Sequence, residues 1–386
     1  MKKKIILFFL ILMSIGFTGC WSYKDIDDMR LVGCMAIDYD QQKDEYITTI
    51  EIIDPASKKK QQMGGELYVS RGKTPFDGVR DVIMKAGRNL YWGHTKTMII
   101  SQEIAKNKII PIVDLIYRDA EFRSDAHIIV SKEKTAQEIL RKSTEQHIQP
   151  IRGYHLQDVL ESEEHIEKYH GVDLWKYLKK LYADGVSPVL PAIYNREEEG
   201  KVYPIISGMA VFKGKKLVGW LDEDEAKAFA WVVDEDDVGA SIIVVRGKLK
   251  EEPVKISLEV LGNQTKLKPI LIANKIVMQI NVETGMRLEE IAGTEDFISK
   301  KGRSILEKDT EKFIQKEIEE LIKRVQKKYH SDIFGFSTSI KKEMPELWRK
   351  IKPNWESFFT NMEVDVNVKV TIEGSALQQK PIKISE

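Results

Sequence analysis

From residue 362 to 373 the chain alternates without a break. Met362, Val364, Val366, Val368, Val370 and Ile372 stand against Glu363, Asp365, Asn367, Lys369, Thr371 and Glu373. A period of two is that of a strand with one buried and one wet face, which predicts an antiparallel sheet covered on one side. The cover lies upstream. Phe313, Ile314, Ile318, Leu321, Ile322, Val325 and Tyr329 recur at helical spacing with lysine and glutamate opposite, behind a capping box at Ser304 and Glu307. The pattern predicts one long helix lying on that sheet.

The first half alternates strand and helix signals instead. Residues 31–37, 46–53, 66–71, 95–101 and 126–131 read as strands. Thr74 and Pro75 open a helix with Val79, Ile83 and Ala86 on one face and Gly87 at its end. Thr135 and Glu138 form a capping box for a second helix, running to about His147. Helical patterns also cover 154–160 and 174–181. Pro188, Pro191 and the acidic run Glu197, Glu198 and Glu199 then break the periodicity and predict a solvated linker at 183–203. Beyond it, 207–212 and 216–220 read as strands, and Asp222 with Glu225 caps a helix carrying Phe229 and Trp231. Strand signals follow at 241–246, 255–261 and 275–283. The expected class is α+β, a multi-domain chain of mostly antiparallel or mixed sheets with packed helices. Residues 20–182 and 204–375 form its two regions, the second divisible near 245–255, and 376–386 a tail.

The first residues tell a separate story. Lys2, Lys3 and Lys4 precede an apolar run at 5–17, shorter than the roughly 20 residues a membrane-spanning helix needs. A short apolar core between lysines and small residues reads as an export signal. Phe17-Thr18-Gly19-Cys20 resembles the lipobox of bacterial lipoproteins, with phenylalanine where leucine is usual. The resemblance implies removal of 1–19 as a signal peptide and transfer of diacylglycerol to the Cys20 thiol. A peptidase needs small residues to reach the bond before that cysteine, and paired or tripled acyl chains, palmitate among them, hold where one would not.

Composition narrows the picture. Apolar residues at 42% and charged residues at 31% fit a packed globular protein and exclude a disordered stalk. A net charge of zero leaves no global footprint for nucleic acid. Cys20 and Cys34 are the only cysteines. Cys34, inside an apolar run, reads as a buried and inert thiol, so neither an internal disulfide nor a cysteine zinc site is expected.

Motifs for chemistry fail one by one. Arg71-Gly72-Lys73-Thr74 has the end of a phosphate-binding loop but Leu67 where its first glycine must stand. His165 and His170 are five apart, a spacing that does not put both on one helix face. The acidic cluster Asp234, Glu235, Asp236 and Asp237 lacks the alternating ligands and glycine of a calcium loop. No Gly-x-Ser-x-Gly elbow occurs. The expectation is a protein that binds or positions, not an enzyme, with no cofactor and no metal.

Several stretches taken together resemble the Ger(x)C family, the C-subunit lipoproteins of spore germinant receptors. They are Gly19-Cys20-Trp21 with Lys24-Asp25-Ile26-Asp27-Asp28; Trp92-Gly93-His94-Thr95-Lys96; and Tyr117-Arg118-Asp119-Ala120-Glu121-Phe122-Arg123. In the second half come Gly208-Met209-Ala210-Val211-Phe212, Leu217-Val218-Gly219-Trp220-Leu221, Asp332-Ile333-Phe334-Gly335-Phe336, Pro345-Glu346-Leu347-Trp348 and Trp355. The resemblance implies a non-catalytic subunit, lipid-anchored on the outer face of the cytoplasmic (spore inner) membrane beside A-type and B-type integral membrane subunits. Read physically, Arg118, Asp119, Glu121 and Arg123 form a salt-bridged element or a subunit contact. Trp348 and Trp355, after Pro345 and Pro353, anchor a loop to the core or to a partner. A solute-binding lipoprotein of an envelope transporter is the competing reading, and a cell-envelope enzyme the third.

Overall fold

A strand buried on both faces belongs in the middle of a sheet, and β1 (Met29–Asp40) is one: Cys34, Met35, Ala36 and Ile37 have no exposure. The computed structural model describes residues 29–54, 64–119, 121–142, 151–163, 166, 168–233, 242–249, 253–273, 275–293 and 295–375. Its first sheet has nine strands. On one side of β1 come β2 (Glu45–Asp54) and β3 (Gly64–Gly72), both antiparallel. On the other, β5 (Thr97–Ile100), β6 (His127–Ser131) and β7 (Val189–Glu198) pair parallel in turn, and β4 (Asn89–Tyr91) pairs parallel with the start of β1. An antiparallel meander of β8 (Lys201–Lys213) and β9 (Lys216–Leu221) closes the sheet.

Parallel pairing needs long crossovers, and these carry the helices. They are α1 (Pro75–Ala86) before β4, α2 (Ile109–Arg118) between β5 and β6, and α3 (Ala136–Lys142), α4 (Arg152–Glu161) and α5 (Leu174–Tyr182) between β6 and β7. Thr74 caps α1 through Asp77 N, Pro75 opens it, and Gly87 ends it at φ 70°. Residues 183–203, expected as a linker, instead carry β7 and the start of β8. Pro191 is tolerated in mid-strand because the ladder to β8 shifts register between Pro191 and Ile193.

The second sheet has four strands: β10 (Ile242–Gly247), β11 (Val254–Ile272), β12 (Lys275–Ile291) and β13 (Glu363–Ser375). The first three run antiparallel, but β13 lies parallel to β12, with Val277 opposite Glu363 and Thr284 opposite Val370. Alternation reports which face is wet, not strand direction, so the antiparallel sheet expected under the long helix is corrected to a mixed one. The α+β, multi-domain class stands.

The connection from β12 to β13 carries α7 (Lys300–Arg324), α8 (Phe336–Glu343), α9 (Pro345–Ile351) and α10 (Trp355–Asn361). Helix α7 opens at Ser299, whose hydroxyl accepts from Gly302 N, not at Ser304. Leu306, Ile314, Ile318, Leu321 and Ile322 are buried, whereas Phe313 is 37% exposed at the margin of the stripe. The Glu311 and Glu307 carboxylates accept from Val370 N (3.2 Å) and Ile372 N (3.0 Å), occupying part of the free edge of β13. Such an edge otherwise templates pairing with another chain.

One core runs through both halves. Helix α6 (Glu223–Val232), capped by the box of Asp222 and Glu225, joins them. Its Phe229 begins an aromatic series through Phe334, Phe336, Phe359, Trp355 and Trp348, each ring centroid 5.3–6.2 Å from the next. No helix among the described residues is long and apolar enough to cross a membrane.

Candidate interaction surface

The buried carboxylates serve the fold. Glu51, fully buried, accepts from Arg152 N (2.8 Å) and Gly153 N (2.9 Å) at the start of α4 and pairs with the Arg152 guanidinium at 2.8 Å. Asp38 accepts from Ala136 N (2.6 Å) and Gln137 N (3.0 Å) at the start of α3, and burial pushes its carboxyl up to about 6. Asp332 accepts four backbone N–H groups, from Phe334, Gly335, Phe336 and Ser337, and burial raises it too. Each carboxylate nucleates a helix entry, which is the physical content of the Asp332-to-Phe336 motif. Cys34 is buried as expected, its thiol pushed well up by burial and then by the Glu51 carboxylate.

Among the described residues no three His, Cys, Asp or Glu side chains converge. His170 Nδ1 lies 2.7 Å from a Glu163 oxygen. His165 and the cluster at 234–237 lie outside the described residues, as does Cys20.

The structure separates the six residues offered as contacts into two groups. Trp348 and Trp355 are 4% and 7% exposed and meet edge to face at 5.3 Å. Trp355 Nε1 donates to Gly185 O at 2.8 Å, pinning the entry of β7 to α9 and α10. They are core residues, with no indole face left for a partner. Arg118 ends α2 instead, and Asp119, Glu121 and Arg123 follow it on the loop to β6. Arg118 pairs with Asp114 at 2.9 Å and Arg123 with Asp125 at 2.8 Å, and these guanidinium groups stay largely exposed. Asp119 Oδ1 accepts from Glu121 N at 2.9 Å. Between the charges Phe122 stacks on buried Trp92 at 4.4 Å, so two of the motifs meet in one contact. Asp119 and Glu121 line a cavity of about 260 Å³ with Phe76, Arg80 and Trp92.

The pattern did not single out the bare apolar residues around that loop. Tyr117, beside Arg118, is 73% exposed; Met84 on α1 is 78% exposed and Trp175 on α5 62%. The available signal was an apolar residue off the buried face of its helix: Met84 lies outside the set Val79, Val82 and Ala86.

This arrangement of a nine-stranded mixed sheet, a four-stranded sheet and a shared core has known counterparts. The crystal structure of the GerBC protein superposes with a TM-score of 0.54 at 21% identity, over 88% of this chain and 97% of that one, a likeness of fold. Among curated sequences, Spore germination protein KC of Bacillus subtilis (strain 168) is 26% identical over 99% of this chain and 98% of its own. Spore germination protein B3 of the same organism is 26% identical over 96% and 97%, and Spore germination protein A3 is 22% identical over 96% and 97%. The model of the spore germination protein N-terminal domain matches residues 22–194, and that of the spore germination B3/GerAC-like C-terminal domain matches 207–376. Matched in both halves and along nearly its whole length, the chain belongs to the GerAC-like family of spore germination proteins, the Ger(x)C family.

Proposed function

We propose that this chain is the lipid-anchored, non-catalytic subunit of a membrane nutrient germinant receptor. It is held by diacylglycerol on Cys20 at the outer face of the spore inner membrane and acts by assembly with A-type and B-type integral membrane subunits. One observation carries the reading. The germination-family match starts two residues after Cys20 and runs to residue 376, so what precedes it is the basic, apolar, lipobox-ending leader. The buried carboxylates support a non-catalytic role, since Glu51, Asp38 and Asp332 are engaged in helix entries.

The solute-binding alternative expects two similar lobes around a cleft. Here a nine-stranded mixed sheet and a four-stranded sheet with a covering helix differ in order and direction, and one core spans both. Affinity capture of the lipidated protein from detergent-solubilised spore membranes tests the proposal. Two integral membrane proteins should come with it. Recovery of a permease and its ATPase, or of no membrane protein, would overturn it.

A further inference from the structure

We propose that the end of the first sheet where its parallel strands begin rests on the bilayer, with Met84, Tyr117 and Trp175 at headgroup depth. The inference rests on the lipid anchor at Cys20 and adds an orientation to it. Nine residue-to-residue steps, across eight intervening residues, separate Cys20 from Met29, where β1 starts. Fully extended they reach about 30 Å, so this end of the sheet is the one the anchor holds nearest the membrane.

Strand pairing places the three side chains there. Met29 lies beside Asn89, Cys34 beside Thr97, and Thr97 beside His127, so β1, β4, β5 and β6 all run away from this end. Met84 is in the last turn of α1, just before β4. Tyr117 is in the last turn of α2, whose chain leads into β6. Trp175 N donates to Ser124 O (3.0 Å) and Leu174 N to Ala126 O (2.9 Å), which fixes the first turn of α5 to the same loop. Three separate helices therefore bring a bare apolar residue to one end. Among the described residues the four most exposed large apolar side chains are Met84, Tyr182, Tyr117 and Trp175. Tyr182 ends the helix that Trp175 begins.

Tryptophan and tyrosine favour the water–bilayer boundary because each has an apolar body and one polar group. The exposed guanidinium groups of the loop there are matched within the protein, Arg118 with Asp114 and Arg123 with Asp125. Contact is thus carried by apolar area rather than by net charge, and salt should not abolish it.

The test uses the mature lipidated chain in phosphatidylcholine vesicles whose acyl chains carry bromine, a contact quencher of indole emission. Trp21→Phe is included throughout, since that indole adjoins the lipid. Co-flotation with vesicles reads the anchor separately from the contact. The expected result is flotation with quenched emission that persists at high salt, the quenched component vanishing in Trp175→Phe at unchanged thermal stability. Flotation with no quenching assigned to Trp175 would overturn the orientation and leave the anchor standing. Failure to float would remove the anchor and the inference together. A photo-crosslinker at Tyr117 that captures an integral membrane protein instead of lipid in spores would give this face to a protein partner, and would also overturn the proposal.

Discussion

Asp38 is under two opposed demands. Burial favours its neutral form, while the two N–H groups at the start of α3 favour the carboxylate, and burial wins, since the group rises from 3.8 to about 6. A folded value above the unfolded one means that the native state holds the proton more tightly. The contribution of Asp38 to stability is therefore full below the unfolded value and is lost as pH rises through the folded one. A shift of two units corresponds to about 3 kcal/mol. Asp38→Asn keeps an acceptor without the buried charge, so its stability relative to wild type should climb between about pH 4 and pH 6. Urea denaturation across that range measures the difference; parallel curves would contradict the account. Gly185 supplies a second residue-scale prediction. It sits at φ 85°, and a Cβ there would fall 2.7 Å from both Trp348 Cη2 and Ser337 Cβ. Gly214, at φ 56° with open space around it, has the backbone constraint alone. Gly185→Ala should lower the melting temperature well beyond Gly214→Ala, since overpacking costs about 1–3 kcal/mol of stability. Equal losses would mean that the tryptophans do not grip this turn. Trp348 and Trp355 were legible as anchors, but nothing local pairs them with a glycine so distant in the sequence, so core and interface could not be told apart until the chain was folded.

At the scale of elements, the strongest periodicities gave the right contacts and the wrong details. The stripe of α7 does cover β13, as the buried Ile314, Ile318, Val366 and Val370 show. The helix start was misplaced because Ser299 and Ser304 are both competent caps, and the choice falls to Asp296 and Gly302, which pack closely around Ser299. Strand direction was not readable, since a one-sided strand alternates whichever way its neighbour runs. Strand β7 was missed because proline and a glutamate run argue for a loop, and only the register shift beside Pro191 reconciles them with pairing. The helix-on-sheet contact predicts a sharp contrast. Ile318→Asp puts an unpaired charge where there is no exposure and should cost several kcal/mol of a total near 5–15 kcal/mol. Lys316, on the wet face beside Glu320, should tolerate Lys316→Asp with a small change. Matching thermal melts for the two variants would refute the packing.

For the whole molecule, the α+β class and the family resemblance are legible in the sequence, while the shared core and the bare apolar end of the first sheet require coordinates. Exposure of that end is decided by where α1, α2 and α5 finish or start in space, which no single helix pattern contains. On the proposed function, this protein works by being held beside membrane partners. Tethering raises the effective concentration of a weak interface, and release forfeits the gain without altering the fold. The most direct measurement compares nutrient germination through this receptor in three spore lines at matched protein levels. One carries the native chain, one Cys20→Ala, and one Cys20→Ala retethered by an unrelated transmembrane helix through a linker spanning the same distance. Cys20→Ala should lose most of the response and the retethered form should recover part of it. An undiminished response from a stable, unanchored Cys20→Ala protein would contradict the account and return the solute-binding reading to contention.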